Sequence, residues 1–80
     1  MRILLVEDDE LLGEGTRKGL IQDGYTVDWV KDGALADQAL KTEKFDLVVL
    51  DLGLPKMPGI TVLQNLRDRG DTTPVLIPTA

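Results

Sequence analysis

The residues best suited to chemistry in this chain are acids at the ends of two apolar runs. Ile3-Leu4-Leu5-Val6 leads into Glu7-Asp8-Asp9, and Leu47-Val48-Val49-Leu50 leads into Asp51. Short apolar runs bounded by polar residues predict buried strands, and the chain between them is long enough for helical crossovers. If the two strands are parallel neighbours, their carboxyl ends lie side by side, where open α/β sheets place their ligands. Carboxylates gathered there repel one another, by about 4 kcal/mol for a pair about 4 Å apart at an effective dielectric of about 20. A hard cation such as Mg²⁺ relieves that repulsion, since Mg²⁺ takes oxygen ligands. The same residues have a plainer reading, with Asp8 or Asp9 capping a helix and Asp51 a loop aspartate. Spacing alone leaves both open.

The elements that must position these acids alternate along the chain. Ile3–Val6 is expected as the first strand. A helix follows from about Glu10 to Gln22, with Asp9 as its N-cap and Gly24 as its stop. Leu12, Leu20 and Ile21 are expected to face the sheet, although Gly13, Gly15 and Gly19 each weaken the helix by roughly 1 kcal/mol relative to Ala. Thr26–Val30 is a short second strand, with Val27 and Trp29 on one side, and Trp29 is expected to lie away from the acids. Asp32-Gly33 reads as a turn and Ala34–Lys41 as a second helix. Phe45–Leu50, near-continuously apolar, fits a strand covered on both faces. Leu52–Gly59 is a loop with two prolines and two glycines. Ile60–Arg69 is a third helix with Leu63 and Leu66 inward, and Pro74–Thr79 a fourth strand. The β-α-β-α-β-α-β order predicts an α/β fold with a doubly wound parallel sheet.

Composition narrows the function classes. The chain has 80 residues, 42 % of them apolar, with a formal net charge of −5. That length makes one domain at most, and that charge makes nucleic acid and anionic membrane poor partners for its surface. There is no cysteine or histidine, so thiolate sites, thiol nucleophiles, imidazole bases and His-ligated zinc are excluded. The first apolar run is too short for a signal peptide, and no run approaches a membrane span. A cytoplasmic location is the default expectation. Gly13-Glu14-Gly15-Thr16-Arg17-Lys18-Gly19 superficially suggests a dinucleotide loop. Such a loop must follow the first strand directly, whereas six residues, four of them acidic, separate Val6 from Gly13.

Taken together, Arg2-Ile-Leu-Leu-Val-Glu-Asp-Asp9, the Leu50-Asp51-Leu52-Gly53-Leu54-Pro55 turn, Gly59 and Pro74-Val-Leu-Ile-Pro-Thr79-Ala80 resemble a bacterial response-regulator receiver domain, with a CheY-like or flavodoxin-like sheet. Gly24-Tyr-Thr-Val-Asp-Trp-Val-Lys-Asp-Gly33 leans towards the OmpR/PhoB class, whose members carry a winged-helix DNA-binding domain after the receiver. The resemblance implies that Asp51 accepts a phosphoryl group from a sensor histidine kinase, which makes the chain a signalling module rather than an enzyme. It implies Mg²⁺ held by Asp8 directly, by Glu7 mostly through water, by Asp51, and by the backbone carbonyl of Gly53. It also makes Thr79 the switch hydroxyl and Ala80 its small neighbour.

The sequence departs from that family in three ways. Its elements stop at the fourth strand, so residues 1–80 are expected to form a receiver domain without the fifth strand, its lysine and the last two helices. An edge at the fourth strand and its uncovered apolar faces then predict self-association, and DNA contact only through a domain absent from this chain. Pro78 stands inside the expected fourth strand, where proline cannot donate to a ladder. Lys56-Met57-Pro58 replaces a more familiar Gly-Met-Asp before Gly59. Two other classes follow from these residues. One is a phosphorylation-independent interaction fragment of a receiver. The other is an Mg²⁺-dependent phosphohydrolase, which would place a second acid two residues after its nucleophile, where this chain has Gly53.

Overall fold

A computed structural model of the chain describes residues 1–78. Thr79 and Ala80, the expected switch hydroxyl and its neighbour, lie outside the described residues. The elements run β1 (Arg2–Val6), α1 (Glu10–Gln22), β2 (Thr26–Val30), α2 (Gly33–Thr42), β3 (Leu47–Leu50), α3 (Gly59–Asp68) and β4 (Val75–Leu76). The four strands form one parallel sheet in the order β2-β1-β3-β4. This is the doubly wound arrangement expected from the alternation of strands and helices, with β1 and β3 central.

Alternate residues of the central strands feed two cores, as period-two side chains must. Leu4, Val6, Val48 and Leu50 face α2 and α3 and pack with Ala36, Leu40, Val62 and Leu66. Ile3, Leu5 and Val49 face the other way, towards Leu20, Val27 and Trp29. The second layer is thinner, and α1 meets it differently from the expectation. Leu20 packs inward, but Leu12 is 58 % exposed and Ile21 46 % exposed. The residue of α1 that is fully buried is Gly13. A Cβ there would stand 2.6 Å from Cε2 of Trp29, so the helix can approach β2 only through a residue without a side chain. Seating the indole against Gly13 sets the rotation of α1 and turns Leu12 and Ile21 outward. This is also the use of a glycine that the nucleotide-loop comparison left unexplained.

The helix boundaries follow local chemistry. Asp9 Oδ1 accepts from Leu12 N–H at 3.0 Å, and Asp32 Oδ1 accepts from Leu35 N–H at 2.8 Å, so both are N-caps. Gly24, with φ at +93°, ends the turn after α1 as expected. Pro58 caps α3 through its carbonyl, which accepts from Thr61 and Val62 N–H. That arrangement suits proline at a helix start. Strand β4 is shorter than the expected Pro74–Thr79. Among the described residues, Val75 and Leu76 pair with β3, and Pro78 lies past this paired segment rather than within it. Short edge strands flanked by proline are one way proteins blunt an edge.

Helices α2 and α3 are joined by a polar contact not foreseen from the sequence. Asp37, 4 % exposed, is bonded by Lys41 Nζ at 3.1 Å and Asn65 Nδ2 at 3.2 Å, and lies 3.6 Å from Arg69 Nη1. Burial pushes its carboxyl upward, but these hydrogen bonds and the two positive charges outweigh burial and leave it below the usual carboxylate range. A depressed value in the folded state stabilises above the unfolded value and is lost as pH falls through the folded one. This link between the helices therefore fails only in strong acid.

Candidate functional site

The acids of the site are extensions of the sheet. Beyond the last residue of β1, Glu7 N–H donates to the Val30 carbonyl of β2 at 3.1 Å. Beyond the last residue of β3, Asp51 N–H donates to the Val6 carbonyl of β1 at 3.1 Å. Each acid is thus placed by one further rung of the parallel ladder and not by a free loop. Asp8 follows Glu7 into solvent.

Glu7, Asp8 and Asp51 each bring a carboxylate oxygen to one place, with all three atoms within 4.8 Å of one another. Among the described residues this is the group of acids that could share a cation. Asp9 is not part of it, because its side chain caps α1. Capping and cluster formation were alternatives in the sequence, and the structure divides them between neighbouring residues. Asp9 N–H also donates to Glu7 Oε2 at 3.1 Å. Partial burial and the negative charges of Asp51 and Asp8 raise the Glu7 carboxyl above the ordinary glutamate value, against the lowering effect of that N–H.

The loop after β3 shapes the other side of the site. Gly53 N–H donates to Asp51 Oδ1 at 3.2 Å. A side chain at Gly53 would meet nothing closer than that oxygen, at 4.0 Å, so the position contributes its backbone. Further on, Met57 N–H to Pro55 C=O closes a tight turn at 2.8 Å, with Lys56 in the left-handed region at φ 70°. Gly33 N–H then ties Pro55 to the start of α2 at 3.2 Å. Gly59 lets α3 begin directly against the Asp51 peptide. A Cβ there would lie 2.5 Å from the Asp51 carbonyl oxygen and 2.8 Å from Leu52 Cα.

Trp29 is closer to this site than its place on β2 suggested. Its indole Nε1–H donates to the Glu7 carbonyl oxygen at 2.9 Å. Sequence patterning could assign Trp29 to the inner side of its strand but could not show that the strand ends beside Glu7. Of the residues expected in the site, Glu7, Asp8, Asp51 and Gly53 are brought together, and Thr79 lies outside the described residues.

Residues 3–80 match the family described as the response regulator receiver domain. The chain is 59 % identical over 80 residues to the response regulator protein PmrA of Pseudomonas aeruginosa, and 51 % identical to the transcriptional regulatory protein QseB of Haemophilus influenzae. Each alignment covers 100 % of the chain and 36 % of the relative, so the chain spans about a third of the length of these proteins. Among solved structures, the non-phosphorylated receiver domain of HemR from Leptospira biflexa matches with a TM-score of 0.87 at 43 % identity, over 95 % of this chain and 61 % of that one. The chemotaxis response regulator CheY4 of Vibrio cholerae matches with a TM-score of 0.90 at 26 % identity, over 95 % and 65 %. The MaeR response regulator bound to beryllium trifluoride matches with a TM-score of 0.89 at 33 % identity, over 100 % and 67 %.

Proposed function

The chain belongs to the response-regulator receiver family, alongside transcriptional regulators of the OmpR/PhoB class, and we propose that Asp51 is its phosphoacceptor, loaded by a sensor histidine kinase with Mg²⁺ at Glu7, Asp8 and Asp51. The observation that carries this is the meeting of three carboxylates within 4.8 Å at the ends of adjacent parallel strands. An all-oxygen, all-anionic donor set fits a hard divalent cation, and the Glu7 carboxyl is raised by burial first and then by the charges of Asp51 and Asp8, whose repulsion such a cation would relieve. The Gly53 carbonyl is a further ligand in this reading.

In the transfer, one Asp51 carboxylate oxygen attacks phosphorus of a phosphohistidine. A P–O bond forms as the P–N bond breaks, and the imidazole leaves. Mg²⁺ held by Glu7, Asp8 and Asp51 would supply charge neutralisation for the transferring phosphoryl group. The protein's part is placement. The Val6 rung holds the Asp51 backbone, and the Gly53 N–H holds Oδ1. Thr79, by resemblance to the family, is the hydroxyl that then bonds a phosphoryl oxygen. Control of transcription belongs to a DNA-binding domain elsewhere in a longer regulator, since a surface with a net charge of −5 is a poor DNA partner.

Calorimetric or NMR titration tests the metal site. Mg²⁺ is expected to bind weakly to the wild-type chain and not to Asp8→Ala, and unchanged binding in that variant would sink the assignment. The pH dependence has a definite sign. A carboxyl whose folded value is raised holds its proton longer in the folded state, so Glu7 without a cation lowers stability as pH rises through that value. Mg²⁺ competes with the same proton. Its affinity should therefore climb with pH just above the ordinary glutamate range and then level off. A flat profile there contradicts Glu7 as a participant.

Self-association is the other partner proposed for this chain. In the described sheet's edge strand β4, Leu76 is 56 % exposed, and Ile77 just after it is 36 % exposed. Sedimentation velocity over a wide concentration range should show a reversible oligomer that Leu76→Lys disperses. A monomer at every concentration overturns it.

A further inference from the structure

The peptide joining Glu7 to Asp8 is held by a side chain from another element. Glu7 N–H is bound to the Val30 carbonyl and Glu7 C=O to the Trp29 indole, so both backbone polar groups of Glu7 belong to β2. The plane of a peptide sets ψ of the residue before it and φ of the residue after it. Fixing this plane therefore fixes the directions in which the Glu7 and Asp8 side chains leave the main chain. A wrong plane would turn one carboxylate away from the point it shares with Asp51.

The indole is itself restrained on several sides. Its ring packs with the Ile3, Leu5 and Val49 layer of the sheet. Gly13 of α1 lies against it so closely that no side chain would fit. The Lys31 ammonium stands 4.8 Å from the ring centroid, and Lys31 in turn pairs with Glu10 in the first turn of α1. The ring is thus fixed by both neighbouring elements while its one polar atom donates to the backbone carbonyl of Glu7.

We propose that Trp29 is a positioning residue for the cation site. Its indole N–H holds the Glu7–Asp8 peptide in the orientation that lets both carboxylates converge on an ion shared with Asp51, an inference that rests on Mg²⁺ occupying that site. A merely structural tryptophan would satisfy its N–H at any nearby carbonyl and affect stability alone. A positioning tryptophan also sets affinity for the ion.

Because Trp29 is the chain's single tryptophan, its signals need no dissection. On addition of MgCl₂ to the wild-type chain, the Trp29 Nε1–H resonance and the indole emission should move with the same midpoint as the Asp51 amide. Trp29→Phe keeps an aromatic ring but lacks the donor, and should weaken Mg²⁺ binding roughly threefold to tenfold, the worth of one ordinary hydrogen bond. Gly13→Ala keeps the donor but displaces the ring, and should weaken binding in the same direction. A folded Trp29→Phe chain with wild-type Mg²⁺ affinity and only a lower Tm overturns the proposal. If that variant does not fold, the wild-type indole decides: a resonance that stays still through Mg²⁺ saturation overturns it equally. Failure of the wild-type chain to bind Mg²⁺ at all is a different result, which removes the metal site itself.

Discussion

Incubated with acetyl phosphate and Mg²⁺, the wild-type chain is expected to gain a base-labile adduct and the Asp51→Asn chain to gain none. The substitution exchanges one carboxylate oxygen for an amide nitrogen of nearly the same shape and removes the proposed nucleophile. The fold should be indifferent to it. The bond from Asp51 to the Val6 carbonyl is a backbone bond, and the Gly53 N–H still finds an oxygen in the new amide. Stability should hold or rise slightly, because one of three converging negative charges is gone. The same loss of charge brings the Glu7 carboxyl back towards its ordinary value, removing one of the causes that raised it. Intact-mass spectrometry before and after alkaline treatment reads the result. An adduct that persists in Asp51→Asn, or a base-stable adduct on a threonine, would place the phosphoryl group elsewhere, since acyl phosphates hydrolyse in base.

The second large effect is on stability, and it has an internal control. Leu66, 1 % exposed on α3, packs into the layer that covers Leu4, Val6, Val48 and Leu50. Leu66→Ala should cost about 2–5 kcal/mol, the usual range for emptying a buried leucine site. Native proteins have only about 5–15 kcal/mol in all, and each kcal/mol lost lowers Tm by about 4–8 °C in a domain of this size. Leu12→Ala, on the exposed side of α1, should change stability by no more than about 0.5 kcal/mol. Thermal and urea unfolding of the two variants separate the cases. If Leu12→Ala proved as costly as Leu66→Ala, α1 would be rotated so that its leucines, and not Gly13, meet the sheet.

That contrast marks where the sequence was legible and where it was not. Strand-length apolar runs ending in acids were enough to place Glu7, Asp8 and Asp51 at one end of a parallel sheet, because a buried strand, its polarity and its terminus are all local signals. Helix limits were equally readable where Asp9 and Gly24 act on their own backbone, whereas Asp32, with the pattern of a turn, is the N-cap of α2. The rotation of α1 was not readable, because it depends on a ring from β2 that occupies the space a leucine would have taken. The Trp29 bond to Glu7 was hidden for the same reason: it depends on strand register, which no single strand records. Asp37 was overlooked in an Ala/Leu-rich helix. Lys41 four residues on was a visible partner, but Asn65 and Arg69 become partners only when α3 docks. At β4, the apolar run suggests a strand over Pro74–Thr79, whereas among the described residues the sheet pairs Val75 and Leu76 and stops before Pro78.

The ladder rung from Asp51 to Val6 joins distant parts of the chain, since α1, β2 and α2 all lie between β1 and β3. Closing so long a loop costs entropy before any contact repays it, and parallel pairings of this kind are slow steps in folding. The three carboxylates therefore have no common address in the unfolded chain or in any intermediate where β1 has found β2 but not β3. A cation that needs all three binds the finished sheet alone. By mass action such a ligand shifts the folding equilibrium by about 2.7 kcal/mol when present at about a hundred times its dissociation constant. If Mg²⁺ fills the proposed site, it would then act as a folding cofactor for the central strand pair, and the ion content of the medium would become a determinant of how long the chain survives proteolysis.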